Sequence, residues 1–263
     1  MAAPGLERGL AILRLFRRDR PNLGPGEIAT ALAIPRSTVH RLLIALMDQR
    51  LVRRLGDGRY TLDVGVLTLG FEYLASSDIV ALAGPLLETL RNTTNWSTHL
   101  GIRQGRNVMY LSRYASRAAV TRNVSIGSSL PAHATLMGRV LLAELEPTEL
   151  RALYDGVDLR ALAPHGPADL AELQQMIDAD RERGHAAATS FYEPGVRAVA
   201  APVRDMSLSI VAAVNATAAV ADGADPEEVA RAVRATADGI SRLLGAPEML
   251  PRLALNRGET ECI

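Results

Sequence analysis

The chain has 263 residues, room for a small domain and one of ordinary size. Its 29 basic residues, all arginine, balance 29 acidic ones, so total charge argues against a uniformly basic nucleic-acid binder. The lone Cys262 excludes an internal disulfide and any cysteine-based zinc or iron–sulfur centre; without an apolar run of about 18 residues or a signal-peptide core, a soluble cytoplasmic protein away from membranes is expected.

Charge is distributed unevenly. Residues 1–70 carry 11 arginines against six acids, a surplus of +5, and residues 71–263 carry 18 against 23, a deficit of −5. A basic head on an acidic body is the footprint of a DNA-binding module joined to something else.

In chain order, Leu6, Leu10, Leu13 and Phe16 predict the core-facing stripe of a first helix. Glu27 to Leu32 reads as a short helix, Ala33-Ile34 as a turn, and Pro35 as the first position of a second helix, where a missing N–H costs little. Val39, Leu42, Leu43 and Leu46 give that helix an inward face. The opposite face then carries Ser37, His40, Arg41 and Ile44, with Arg36 and Thr38 flanking it. Arg41 has the donor fork that reads guanine in a major groove, while Arg36 and Thr38 suit phosphates. Leu51 to Arg54 and Arg59 to Leu62 read as two strands around a Gly56-Asp57-Gly58 tip of positive φ. This is a wing, with Arg53, Arg54 and Arg59 placed for a backbone or a minor groove. The predicted domain is a winged helix-turn-helix over residues 1–62, followed by a linker helix over 63–77.

From residue 78 to about 250 the pattern is that of a body domain. A helix from Ile79 to Asn92 is expected to kink or restart at Pro85. Strands are expected over Trp96–Arg103 and Asn107–Tyr114, joined at Gln104-Gly105-Arg106, and over Val120–Ile126, before a loop from Gly127 to Thr135. Helices follow to Glu144, over Thr148–Tyr154 and over Pro167–Arg183, the last stopped by Gly184. Strands over Ala186–Phe191, Val196–Arg204 and Leu208–Asn215 lead to a closing helix, Pro226–Leu244, capped by Asp225. Hairpin-linked strands with segregated helices predict an α+β domain on an antiparallel sheet. Residues 251–263 read as a flexible tail.

Motifs for catalysis fail on inspection. No strand is expected ahead of Gly24-Pro25-Gly26, and Pro25 removes an amide from any phosphate cradle. His133 lies near Ser128, Ser129 and Thr135, but no G-x-S-x-G elbow surrounds them and no acid is placed to orient the imidazole. Metal-ligand spacing is absent, so neither a metal nor a cofactor is expected, and the protein is not expected to be an enzyme. A binding pocket fits better. Small and hydroxyl residues around Ser129, Leu130, Thr135, Leu136 and Met137 suggest a loop and helix start able to receive a carboxylate. Strand alternation sets His99 and Gly101 opposite Leu100 and Ile102, and Tyr110 belongs with the same wall.

Gly9–Leu13, Ile34–Leu43, Tyr60–Leu62, Leu130–Ala143 and Gly195–Val203 together resemble the IclR family of bacterial transcription regulators, across about residues 5 to 245. Arg50 stands where that family usually ends the recognition helix with glycine, and Asp63 replaces a glycine after the wing. The resemblance implies a GAF-like effector-binding body, operator DNA as partner, and a homodimer or dimer of dimers. It puts the effector site behind Leu130–Gly138, with a lip after Phe191 and another wall carrying Asn215 and Thr217. Gly138–Ala143 and Ala212–Thr217 look most like the branch controlling β-ketoadipate-type breakdown of aromatic acids. A small carboxylic acid such as a hydroxybenzoate follows, its charge met by Arg122, His99 or loop amides. Two alternatives stay open: a small-molecule enzyme or carrier with a basic interaction head, and an architectural DNA binder without an effector. Repression and activation are not distinguished.

Overall fold

The computed structural model describes residues 3–17, 19–75, 78–116, 124–161, 163–192, 195–220 and 225–247. Internal contacts divide the chain into two compact units, Met1–Ser77 and Asp78–Ile263.

The first unit packs α1 (Pro4–Leu15), α2 (Pro25–Leu32) and α3 (Arg36–Asp48) around Ile12, Phe16, Leu23, Ile28, Val39, Leu43, Val52 and Tyr60. The inward stripe of α1 runs through Gly9, Ile12 and Phe16. Leu10 lies off that stripe and Leu6 precedes it, so both are exposed, at 45% and 64%, against the expectation that they pack the core. Ala33 makes the turn between α2 and α3 in the left-handed region, φ 52°. Pro35 caps α3 instead of opening it, a shift of one residue.

Behind α3 the wing is a three-stranded antiparallel sheet, in the order β1 (Asn22–Leu23), β3 (Tyr60–Leu62), β2 (Val52–Arg54). The sequence predicts two of these strands; β1 is added by pairing Asn22 with Thr61 and Leu23 with Tyr60. At the tip Gly58 alone takes positive φ, at 84°, and Gly56 does not. Arg50 itself adopts the left-handed conformation that its departure from glycine puts at issue, φ 55°, while Leu51 N–H reaches back to the Leu46 carbonyl at 2.9 Å. Asp63 closes the wing through its N–H to the Leu51 carbonyl, and its Oδ1 accepts from Val64 N at 2.8 Å, just before α4 (Gly65–Ala75). Of the segment read as a linker, residues 65–75 are helix. Gly65 is obligatory: a Cβ there would lie 2.4 Å from the Arg50 carbonyl oxygen.

In the second unit α5 (Asp78–Thr94) runs unbroken through Pro85, so of the two outcomes expected there, a kink or a restart, the restart does not occur. A six-stranded sheet follows in the order β6 (Ser129–Pro131), β5 (Asn107–Tyr114), β4 (Ser97–Gln104), β9 (Ile210–Ala219), β8 (Val196–Arg204), β7 (Ala186–Thr189). All neighbours are antiparallel, in keeping with the α+β expectation. Ser129–Pro131, expected as loop, is strand because it finds the edge of β5, with Val108 opposite Leu130. Of the strand expected over Val120–Ile126, residues 120–123 lie outside the described residues and 124–126 are not strand. The expected tail, including Cys262, also lies outside them.

Alternation on β4 sorts the layers. Thr98 donates its hydroxyl to the Leu87 carbonyl of α5 at 2.9 Å, so its face meets α5, with which α9 (Pro226–Leu243) packs at Gly239 and Leu86. Gly101, on the other face, lies against Met137 of α6 (Leu136–Leu142). That second layer, completed by α7 (Pro147–Tyr154) and α8 (Leu170–Arg183), encloses a core of Met137, Leu141, Leu142, Leu150, Leu173 and Ile177. Asp169, not Pro167, starts α8 by accepting from Glu172 N at 2.9 Å.

Candidate functional site

The first unit presents a polar ridge. Arg36, Ser37, His40 and Arg41 of α3 are exposed and Thr38 is half-buried, because Val39 and Leu43 turn the apolar stripe inward. Ile44, 42% exposed, shares this outer face. Arg53 and Arg54 are exposed on β2. Arg59 is exposed but anchored: Nη2 donates to the Asn22 carbonyl at 2.6 Å and to Glu27 Oε2 at 3.3 Å. Glu27 accepts as well from Gly24 N at 2.7 Å and from Arg20 Nη2 at 2.9 Å. These contacts, led by the Gly24 amide, hold its carboxyl below the usual carboxylate range. One carboxylate thereby fixes the start of α2 and two arginines, one at the foot of the wing. The sequence gives no sign of this junction, since its partners lie 7 and 32 residues away.

The second unit holds a cavity of about 40 Å³ between the sheet and the α6 layer. Its position follows from register. His99 on β4 pairs with Asn215 on β9, which pairs with Ala200 on β8; one step along, Ser97, Thr217 and Ala198 align. Side chains two apart on a strand share a face, so His99, Asn215, Thr217, Val196 and Ala198 reach one space. A register shift in the β4–β5 pairing beyond Leu100 sets Tyr110 opposite Gly101, and its ring meets His99 edge-on at 5.6 Å. Leu130, Thr135 and Leu136 close another wall, and Val124, Ser190 and Tyr192 complete the lining.

Of the sequence-predicted pocket residues, His99, Tyr110, Leu130, Thr135, Leu136, Asn215 and Thr217 therefore converge. Ser129 does not; it is exposed on the edge strand, because the pairing of β6 turns it away from its neighbour Leu130. Met137 does not line the space either, being fully buried in the core against Gly101. Arg122 lies outside the described residues. Val124, Ser190 and Ala198 are not among the expected lining residues, and only the β8–β9 register, a long-range pairing, brings Ala198 in.

The chemistry of the cavity is that of uncharged polar groups. His99 is 2% exposed, and its Nδ1 lies 2.8 Å from Asn215 Oδ1. Burial, offset in part by that hydrogen bond and reinforced by the Arg113 charge, lowers its pKa from 6.5 to about 4, so the ring is neutral at physiological pH. Among the described residues, no Arg, Asp or Glu side chain lines the space. At the helix start expected to receive a carboxylate, the Gly138 amide is already taken: Thr135 Oγ1 accepts from it at 3.0 Å. His133, weighed above as a base, is buried with Nε2 3.1 Å from the Leu159 carbonyl oxygen and its ring against Tyr154, which is a structural placement. Among the described residues, no three His, Cys, Asp or Glu gather as a metal site, and no helix is long and apolar enough to cross a membrane.

Comparison with known proteins agrees with this two-part architecture. Residues 5–56 match the IclR helix-turn-helix domain, and residues 71–242 match the C-terminal domain of bacterial transcriptional regulator IclR. The chain is 32% identical over 212 residues to the Pca regulon regulatory protein of Pseudomonas putida, covering 80% of this chain and 72% of that one. A crystal structure of a transcriptional regulator from Rhodococcus sp. RHA1 superposes with a TM-score of 0.80 at 33% identity, over 93% of this chain and 99% of the other. An IclR homolog of Microbacterium hydrocarbonoxydans, crystallised with 4-hydroxybenzoate, shares the fold with a TM-score of 0.80 at 24% identity, over 92% and 99%. With its helix-turn-helix, its antiparallel sensor sheet and these matches, the chain belongs to the IclR family of bacterial transcriptional regulators.

Proposed function

We propose that this protein is an operator-binding regulator whose DNA affinity is set by a small hydroxylated aromatic acid held between the sheet and α6, where the cavity of about 40 Å³ must widen to admit it. The observation that carries the reading is the convergence of His99, Tyr110, Asn215 and Thr217 from three strands on one space in a unit separate from the α3 ridge. A regulator needs two such sites and an energetic link between them. The 32% identical relative named for the Pca regulon supports an aromatic-acid class of effector. On the DNA side, Arg41, Ser37 and His40 read bases in the major groove, while Arg36, Thr38, Arg53, Arg54 and the remaining donors of Arg59 hold phosphates.

The working form is a homodimer, with pairing of dimers as a further step. Val64, Leu67, Leu69 and Phe71, at or near α4, are each more than 60% exposed, and Leu6 and Leu10 add to the apolar surface of the first unit. A second copy is the natural cover for such a surface, and its two-fold axis demands a pseudopalindromic operator with half-sites about 10 bp or a multiple apart.

The test is titration of a duplex, selected from random sequence by the full chain, with and without 4-hydroxybenzoate. The ligand is expected to change operator affinity by roughly 5- to 150-fold, and the operator to change ligand affinity by the same factor. Ala198→Leu fills the cavity and is expected to abolish the ligand effect while leaving operator affinity within a few-fold. Binding of 4-hydroxybenzoate to Ala198→Leu with unchanged affinity would move the effector site elsewhere.

A further inference from the structure

The polar atoms of the cavity say which end of a ligand they read. Asn215 turns Oδ1, an acceptor, toward Nδ1 of His99 at 2.8 Å, so Nδ1 carries the ring proton and donates it. A neutral imidazole has one proton to give. With Nδ1 committed to β9, Nε2 is left as a bare lone pair, and it is buried without a hydrogen-bond partner. An unpaired acceptor in a space of this size is costly unless something donates to it. The Tyr110 ring stands edge-on beside the imidazole, and Leu130, Leu136 and Val196 supply apolar walls, so the surroundings favour a flat, mostly apolar ligand carrying a small donor.

We infer that the effector presents an uncharged hydroxyl to Nε2 of His99, and that this donated hydrogen bond, rather than capture of a carboxylate, decides which small molecules the cavity accepts. Asn215 acts as a positioning residue, holding the tautomer that makes His99 an acceptor. This rests on the reading of the cavity as the effector site. It departs from the expectation that His99 neutralises a carboxylate: a ring with a lone pair facing the ligand repels an anion, and of the amides at the start of α6 that of Gly138 is already engaged. The carboxylate of a hydroxybenzoate must then lie at the far end of the ligand, away from His99. Selectivity of this kind is sharp, because an analogue lacking the hydroxyl leaves a buried acceptor unpaired.

Two measurements on the full chain test it. Calorimetry compares 4-hydroxybenzoate with benzoate, which lacks the hydroxyl, and with 4-methoxybenzoate, whose oxygen accepts but cannot donate. Both analogues are expected to bind roughly 10- to 100-fold more weakly. Equal binding of 4-methoxybenzoate and 4-hydroxybenzoate overturns the inference while leaving the aromatic-acid reading standing. The second measurement needs no effector: ¹⁵N NMR of histidine-labelled protein near neutral pH reports the tautomer. Protonated Nδ1 and bare Nε2 are expected at His99, together with release of that preference in Asn215→Leu. A proton on Nε2 overturns the inference whatever binds. If none of the three acids binds, the aromatic-acid reading falls, and the tautomer alone decides this one.

Discussion

Arg139 of α6 donates through Nε to Oδ2 of Asp180 on α8 at 2.8 Å, and the two side chains are only 6% and 2% exposed. Asp180 also accepts from Arg183 on its own helix. The Arg139 guanidinium lies 5.8 Å from the centre of the Phe191 ring, and Phe191 sits between Ser190 and Tyr192, both of which line the cavity. The pair thus ties α6, α8 and the lip of the cavity together. Removing one partner strands a buried charge: Asp180→Ala is expected to lower unfolding free energy by about 3–5 kcal/mol in urea titration. Replacing both, as Arg139→Met with Asp180→Leu, is expected to recover most of that loss. A similar loss in the double variant would show that shape, not charge, governs the site.

His99 gives stability a specific pH dependence. An unfolded histidine takes up its proton near 6.5, but the buried ring resists until about 4, so across that interval the unfolded chain binds more protons and stability falls with pH. The contribution is complete above the unfolded value. At about 1.4 kcal/mol per tenfold, it amounts to roughly 3 kcal/mol lost between the two values. Comparing native protein with His99→Gln in denaturant titrations at several pH values isolates it. Parallel curves for the two proteins would contradict the burial argument.

Arg50 carries a left-handed backbone at φ 55°. The cost of that conformation for a residue with a Cβ exceeds the extra entropy that glycine loses on folding, so Arg50→Gly is expected to stabilise the first unit by about 0.5–1 kcal/mol. Gly65→Ala, whose Cβ would strike the Arg50 carbonyl, is expected to destabilise it. Thermal unfolding of both variants checks the pair of opposite signs.

Glu27→Gln separates the junction at the foot of the wing from the fold at large. The Glu27 pKa is lowered by the Gly24 amide and by Arg20 and Arg59, so the contribution of its carboxylate is present above the ordinary value of 4.5 and is lost as pH falls through the depressed folded value. The native protein is expected to be the more stable above that window, with the difference closing below it. Amide exchange at Tyr60–Leu62 should also quicken in the variant, since Arg59 loses one of its two anchors.

Arg41→Ala is expected to cost about 1–3 kcal/mol per half-site on the selected operator and little on random duplex. Arg54→Ala should weaken both alike and reduce the slope of affinity against salt by about one ion. Equal losses on specific and random DNA for Arg41→Ala would remove it from base reading.

Features with a local cause are legible in the sequence. The inward face of α3, the glycine stop of α8 at Gly184 and the Asp225 cap of α9 all depend on residues within a turn or two. So does the face of β4 on which His99 lies, because alternation is a property of the strand itself. Tertiary structure decides whatever depends on which distant segment arrives. Asn22–Leu23 is a strand because Tyr60 and Thr61 lie beside it, and Ser129–Pro131 because the edge of β5 was free to pair. Ser129 and Met137 drop out of the predicted pocket for the same reason, while Ala198 enters through its pairing with Thr217. Sequence therefore locates the wall of the cavity, but its chemistry is set by the 116-residue separation across which Asn215 fixes the proton of His99. A hydrogen bond of that span has no periodic signature; it exists only once the register of β4 on β9 has been chosen by the burial of both strands.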